Sequence, residues 1–212
     1  MWRRIASLVA ATLSLMACRP RLAPLTGVPE SSARLPATTI PAGHAQIVFN
    51  WSLDDRDMAG RGEGVARVAG PDSVRLDFFL AGGLGSGAAV LIGDSLRTPA
   101  GDQARRFVPP PPLLWAALGR VALPNLPDTV IRSDGAMLRA DIGRPVAYRL
   151  TFRNDSLVRA ERVSGGRVAE WVERSQSQMR YRDEGARRSL QLDITRTDHP
   201  TGFDAAIWRF DR

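Results

Sequence analysis

From Gly64 onward, apolar and polar residues alternate in short runs separated by turn-forming residues. This is the period-two pattern of strands that bury one face. Gly64-Val65-Ala66-Arg67-Val68 is the first run, and Gly70-Pro71-Asp72 turns the chain. Val74, Leu76, Phe78 and Leu80 then alternate with Ser73, Arg75, Asp77 and Phe79, giving a strand with one strongly apolar face. A glycine loop, Gly82-Gly83-Leu84-Gly85-Ser86-Gly87, leads into a strand from Ala88 to Ile92. Tyr148, Leu150 and Phe152 alternate with Arg149, Thr151 and Arg153, Asn154-Asp155 turns, and Leu157 to Val163 returns. Gly165-Gly166 turns again into Val168 to Glu173, and Met179 and Tyr181 precede the alternating run Leu190-Leu192-Ile194. The succession predicts a mainly β (α+β) fold, an antiparallel meander that is curved or partly closed. One segment breaks the rhythm: Pro109 to Pro112 runs into Leu113-Leu114-Trp115-Ala116-Ala117-Leu118-Gly119. Prolines suit an extended lead and a first helical turn, and glycine suits a stop. The spacing predicts a short amphipathic helix, with Leu114, Trp115 and Leu118 on one face, covering an open face or mouth of the sheet.

An apolar face lined by Val74, Leu76, Phe78, Leu80, Val90, Ile92, Leu150 and Phe152 has two uses. It fills a core, or it leaves a groove for an acyl chain with the helix of Leu114, Trp115 and Leu118 as a lid. The pattern alone leaves both open. Leu84 adds a second question, because the glycines around it hold one leucine away from any strand face. Such a residue either folds back onto the core or meets a lipid or a pocket.

The start of the chain is built like an export signal. Trp2-Arg3-Arg4 is a basic head, Ile5 to Met16 an apolar core, and Ala17 precedes the single cysteine, Cys18. About a dozen apolar residues are too few to cross a hydrocarbon layer of roughly 30 Å as a helix. Leu15-Met16-Ala17-Cys18 resembles the lipobox of bacterial lipoproteins, a family cut before the cysteine and acylated upon it; a secreted protein with a chance cysteine is the other reading. Residues 18–42, rich in Pro, Ser, Thr and Ala, read as a lipidated flexible tether. The expected division is therefore a signal peptide over 1–17, the tether over 18–42 and the folded domain over 43–212.

Composition narrows the chemistry. The chain is 212 residues long with a net charge of +7, and all 29 of its basic residues are arginine. The arginines are spread along alternating strands instead of being clustered with exposed aromatics, which argues against nucleic acid as a partner. With Cys18 lipidated, no thiol remains for disulfide, zinc or redox work. Two histidines, His44 and His199, are too few for a zinc site, and Asp54, Asp55 and Asp57 around Arg56 lack the spacing of a calcium loop. Ser86 lacks the flanking glycines of a nucleophile elbow, a triad of Ser86 with His199 and Asp198 or Asp193 has no support beyond composition, and Glu161, Glu170 and Glu173 show no distinguishing spacing. The glycine loop lacks the ending of a phosphate cradle. No enzyme activity, cofactor or metal is expected.

The stretch from Asp72-Ser73-Val74-Arg75-Leu76 through Gly83-Leu84-Gly85-Ser86 to Leu91 resembles the corresponding region of the LolA/LolB lipoprotein-localisation superfamily, outer-membrane LolB in particular. Leu118-Gly119-Arg120-Val121-Ala122-Leu123-Pro124 is similar to a segment of the same family, and the likeness covers Gly62 to Pro127. The proline-rich tether, the four-proline run and the arginine-rich C-terminal half depart from it. The resemblance implies an incomplete barrel covered by helices, with a cavity for acyl chains, and an exposed loop leucine, here Leu84, that helps insert cargo into the membrane. It implies acylated lipoproteins or lipids as partners; a monomer, anchored to the membrane through Cys18, is expected. Arg19 after the cysteine lacks the aspartate that retains many lipoproteins in the inner membrane, so the outer membrane is the expected location. A non-catalytic envelope scaffold that binds protein through its arginine-rich strands is the first alternative, and an uncharacterised hydrolase the second.

Overall fold

The computed structural model describes residues 21–30, 34–36, 38–40, 42–83, 85–99 and 103–210. Cys18 and Leu84, the expected lipidation site and loop leucine, lie outside these residues. Among the described residues, thirteen strands make one curved antiparallel sheet: β1 (Val28–Pro29), β2 (His44–Asp54), β3 (Ala59–Ala69), β4 (Ser73–Leu80), β5 (Ser86–Ile92), β6 (Ser95–Arg97), β7 (Thr129–Asp134), β8 (Met137–Ile142), β9 (Tyr148–Arg153), β10 (Ser156–Ser164), β11 (Arg167–Arg174), β12 (Gln178–Asp183) and β13 (Arg188–Asp198). The one α-helix, α1 (Pro111–Ala117), lies where the proline run and Gly119 predict it. No helix among the described residues is long and apolar enough to cross a membrane.

Topology explains why the sheet is open and covered. Two meanders, β2 to β6 and β7 to β13, are joined where β13 pairs with β2 along Asp54 to Gln46. β6 therefore ends one edge, while β7 lies at the other with the two-residue β1 outside it. The connection from β6 to β7 must travel from one edge to the other. It crosses the inner face and carries α1, which packs on β10 and β11.

The inner face is set by register. Directly opposed residues share a face, so Leu53, Trp51, Phe49 and Ile47 of β2 lie beside Leu190, Leu192 and Ile194 of β13, or one register step from them. Leu150 pairs with Ala160 and Ala140, and Val172 with Tyr181. Most of these residues, with Leu113 to Ala116 of α1, form the buried core, and half-buried Ile47 packs against it.

The register corrects the expected face in one place. Phe79 opposes Ser86 across the glycine loop, so even-numbered inner positions on β4 face odd-numbered ones on β5. Leu91 and Ala89 are inner; Val90 and Ile92 oppose Arg75 and Ser73 on the outer face. A one-residue change of parity moves every side chain to the other side of a sheet. Val90 is fully buried there, outside the main core cluster.

The expected free tether is also corrected over its described part. The Leu22 amide donates to the Gly166 carbonyl at 2.7 Å, and β1 pairs with β7. Arg149 donates to the Ala23 carbonyl at 2.8 Å, the Val121 amide donates to the Thr38 hydroxyl, and Ile40 joins the core. Short apolar residues scattered through a proline-rich stretch are enough to lay it against the sheet.

Three glycines on the inner side of β3 shape the concave wall. Gly60, Gly62 and Gly64 oppose Leu53, Trp51 and Phe49. A Cβ at Gly64 would lie 2.4 Å from the Phe49 ring, and one at Gly62 would lie 1.9 Å from the Phe79 carbonyl oxygen. Only bare backbone lets the rings and β4 come so close. Phe78 meets Phe49 and Trp51 edge-on at 5.8 and 6.0 Å, and the Trp51 indole donates to the Glu63 carbonyl at 2.9 Å. Gly62→Ala is therefore expected to lower unfolding free energy by about 1–3 kcal/mol through overpacking. Gly60→Ala, whose Cβ would meet the Trp51 ring at 3.4 Å, should change it by less than about 1 kcal/mol. Urea denaturation of the two variants checks the contrast.

Candidate functional site

Strand residues and the crossing connection bound two mainly apolar hollows, the larger of which also takes in Arg75, Asp77, Phe79, Ser86 and Ala88 from the outer side of β4 and β5. One lies beneath α1, with a volume of about 100 Å³, and has Leu76, Phe78, Leu114, Leu118, Met179 and Leu192 in its wall. The other, about 710 Å³, opens beside the β4–β5 loop and is bounded by Trp51, Leu53, Phe78, Leu80, Phe107 and Leu190. Phe78 and Leu190 belong to both walls, so the two hollows adjoin along them. The larger volume falls within the roughly 300–1,000 Å³ of sites that enclose small molecules, and the smaller falls below it. At the rim of the larger hollow, Met58, Phe79 and Leu80 are 37%, 49% and 38% exposed. The Leu80 amide donates to the Gly85 carbonyl at 3.0 Å, closing the base of the β4–β5 loop.

Of the residues that the sequence assigns to the cavity, Leu76, Phe78, Leu80, Leu114 and Leu118 face one or both hollows. Val74, Trp115, Leu150 and Phe152 are packed solid in the core and face neither, and Val90 and Ile92 stand on the outer side. Trp51, Leu53, Phe107 and Leu190 are walls that sequence reasoning did not single out. For β2 the signal was available, since Ile47, Phe49, Trp51 and Leu53 recur at period two.

The lid is pinned through the C-terminal half of α1 and the turn that follows it. The buried Trp115 indole donates to the Gly93 carbonyl at 2.6 Å, in the β5–β6 turn. The Arg120 guanidinium stacks on the same indole, 4.8 Å from its ring centroid, and donates to the Pro71 carbonyl. Beyond the helix, a Cβ on Gly119 would lie 2.8 Å from Arg174 Nη1, so this turn rests directly on the Arg174 guanidinium.

Arg174 has an unusual environment for this chain. Several other half-buried arginines of the sheet meet carboxylates: Arg75 and Arg67 on Asp77, Arg149 on Asp141 at 2.7 Å, Arg159 on Glu161 at 2.8 Å, and Arg188 on Asp55 at 2.9 Å. Arg162 pairs with Glu170, which also accepts from the Tyr181 hydroxyl at 2.6 Å. Arg174 sits on the inner face, two residues beyond Val172, and donates through Nη1 to the Leu157 carbonyl at 3.3 Å. Its Nε is buried and has no acceptor. Burial pushes its pKa below the usual arginine value, with no charged group offsetting the shift. An unmet buried donor costs about 1–3 kcal/mol, and more on a charged group.

The structure also locates the catalytic combinations weighed from sequence. Ser86 opposes Phe79, while His199 follows Asp198, which pairs with Gln46 near the Ser73 end of the sheet. About six residues of strand separate the two ends, roughly 20 Å, so the triad is not assembled. Glu161 and Glu173 share the outer face with Arg159, and Glu170 lies on the inner one. His44 and His199, far apart in sequence, border one small hollow of about 170 Å³. Among the described residues no three His, Cys, Asp or Glu side chains converge as a metal site would require.

No family model matches the chain, and no curated protein matches it. Among solved structures it is similar to a LolA superfamily protein from Nitrosomonas europaea, at 12% identity and TM-score 0.50, over 83% of this chain and 94% of that one. It is also similar to a domain named for outer membrane lipoprotein sorting from Vibrio parahaemolyticus, at 5% identity and TM-score 0.47, over 78% and 89% of the two chains. A DUF1329 family protein from Desulfovibrio piger aligns at 12% identity and TM-score 0.42, over 79% and 90%. At such identities the likeness is one of fold: the chain carries a divergent LolA/LolB-like half-barrel.

Two outcomes follow from this geometry. Trp115→Phe removes the donor to Gly93 and should lower stability by about 1–3 kcal/mol in urea titrations, while an apolar fluorophore should enter the hollow faster in stopped-flow mixing. Burial first, and the bond to Glu170 second, raise the Tyr181 pKa above its usual value near 10. The folded state then keeps a proton that the unfolded chain loses, so stability is full below about pH 10 and falls above it. Tyr181→Phe should remove part of that alkaline loss, read as a shallower decline of Tm between pH 9 and 11.

Proposed function

We propose that the chain is a lipid-anchored periplasmic carrier that takes acyl chains of lipoproteins or lipids into the larger hollow and aids their insertion into the outer membrane. The observation that carries this reading is the 710 Å³ apolar hollow, open at a rim of exposed Met58, Phe79 and Leu80 beside the β4–β5 loop. Cys18 is the proposed site of acylation, residues 1–17 the leader removed before it, and Leu84 the residue that enters the bilayer. Val74, Trp115, Leu150 and Phe152 support the wall and lid from behind, Phe78 and Leu80 contact the chain in the larger hollow, and Leu76, Leu114 and Leu118 line the smaller one beside it.

Energetics support a passive exchange. Burial of hydrocarbon is worth roughly 0.8 kcal/mol per CH₂, so one fatty chain contributes on the order of ten kcal/mol. The costs of association, about 4–15 kcal/mol, take back most of that. A bilayer offers the same chain an equally apolar environment, so release into it needs contact and no covalent chemistry. A protein-binding scaffold is the second reading, favoured by the solid packing of Leu150 and Phe152 in the β7–β13 half.

Leu84→Glu is expected to leave folding and binding of a palmitoylated peptide unchanged while abolishing transfer of an acylated lipoprotein to liposomes. Unchanged transfer would remove the loop from the mechanism. Failure of the unmutated protein to bind the peptide saturably would remove the carrier reading and leave the scaffold.

A further inference from the structure

Arg174 is a cation facing an apolar hollow with no anion beside it among the described residues. Hydrocarbon side chains make up most of the wall beneath α1, and its only polar residues, Arg174, Ser175 and Gln178, stand together where β11 turns into β12. The hollow therefore has an apolar body and a single polar end. Phe78 and Leu190 lie in its wall and lead on to the larger hollow.

The guanidinium at that end is incompletely used. Nη1 reaches the Leu157 carbonyl, the Gly119 turn covers the guanidinium face, and Nε remains without an acceptor although it is shielded from solvent. Arginine presents its donors in a rigid planar fork that matches a carboxylate or phosphate. Arg67, Arg75, Arg149, Arg159, Arg162 and Arg188 each have a protein carboxylate in this role. Arg174 has none among the described residues.

We propose that Arg174 binds the anionic head of a single-chain amphiphile, a fatty carboxylate, whose first carbons fill the small hollow beneath α1 and whose remaining tail runs past Phe78 and Leu190 into the larger one. This rests on the acyl-carrier reading and sharpens it: the protein would distinguish a charged head from a neutral one. The uncharged esters and amides on an acylated cysteine would not satisfy this end of the hollow equally, so free fatty acid is a ligand in its own right.

The test is displacement of the neutral fluorophore N-phenyl-1-naphthylamine from the full chain by laurate, dodecanol, dodecyl phosphate and inorganic phosphate. Laurate is expected to displace the probe at a concentration at least about tenfold lower than dodecanol, consistent with a charge-assisted bond of roughly 1.4 kcal/mol or more. Arg174→Gln should bring laurate to the level of dodecanol and leave dodecanol unchanged, and Arg174→Lys should retain part of the preference. Dodecyl phosphate matching laurate would broaden the head to any anion and still support the site. Equal potency of laurate and dodecanol on the unmutated protein would overturn the proposal while leaving the acyl hollow intact. Competition by inorganic phosphate alone would overturn the amphiphile and leave a bare anion site. Absence of displacement by any chain would overturn the proposal and the carrier reading together. The comparison on the unmutated protein needs no variant, so it decides even if Arg174→Gln does not fold.

Discussion

The structure depends on the pairing of β13 with β2. That ladder places the last long strand beside the first one in the middle of the sheet, so the two meanders extend outward and their free edges never meet. A closed barrel would have surrounded its inner face with its own strands. The open ribbon instead needs a separate cover, and the chain supplies one because it must pass from β6 to β7 in any case. The cover is short, and α1 has only seven residues, so it protects the core near β10 and β11 and leaves the β4–β5 end ajar. Cavity and lid are consequences of the same connectivity.

Electrostatics on this frame are divided by face. Outside, arginines and carboxylates alternate across neighbouring strands, as with Asp141 and Arg149 or Glu161 and Arg159. These charges discourage the edges and outer face from pairing with other apolar surfaces. Inside, the ionisable groups are few and each stands out. Glu170 is satisfied from two sides, by Arg162 and Tyr181, whereas Arg174 is not.

Much of this was legible in the chain, for identifiable reasons. β4, β9 and β13 alternate cleanly because one of their faces is wholly apolar. The helix was readable because Pro109 to Pro112 and Gly119 bracket it. β2 was overlooked although Phe49, Trp51 and Leu53 alternate, since Val48 on the polar side blurs the run. The start of β3 was hidden because Gly60, Gly62 and Gly64 look like a turn until the rings that lie on them are seen. The parity of β5 could not be read, because it depends on how many residues the glycine loop leaves unpaired between Phe79 and Ser86. Arg174 resembled every other strand arginine, and only its place two residues after Val172 marks it as inward-facing. Where a proline-rich segment docks depends on contacts more than a hundred residues away, such as Leu22 with Gly166, and no local pattern carries that information.

That docking contact has a geometric corollary. From Cys18 to Leu22 there are four residues, a leash of at most about 14 Å. Following the register across the sheet, the turn at Gly166 lies on the same rim of the half-barrel as the β2–β3 turn at Met58 and the β4–β5 loop. A lipid on Cys18 would thus moor the body by the very rim that holds the open mouth, turning it toward the bilayer surface. The hollow would hang like a scoop with its lip against the membrane, and loading or unloading would require no swing of the whole domain.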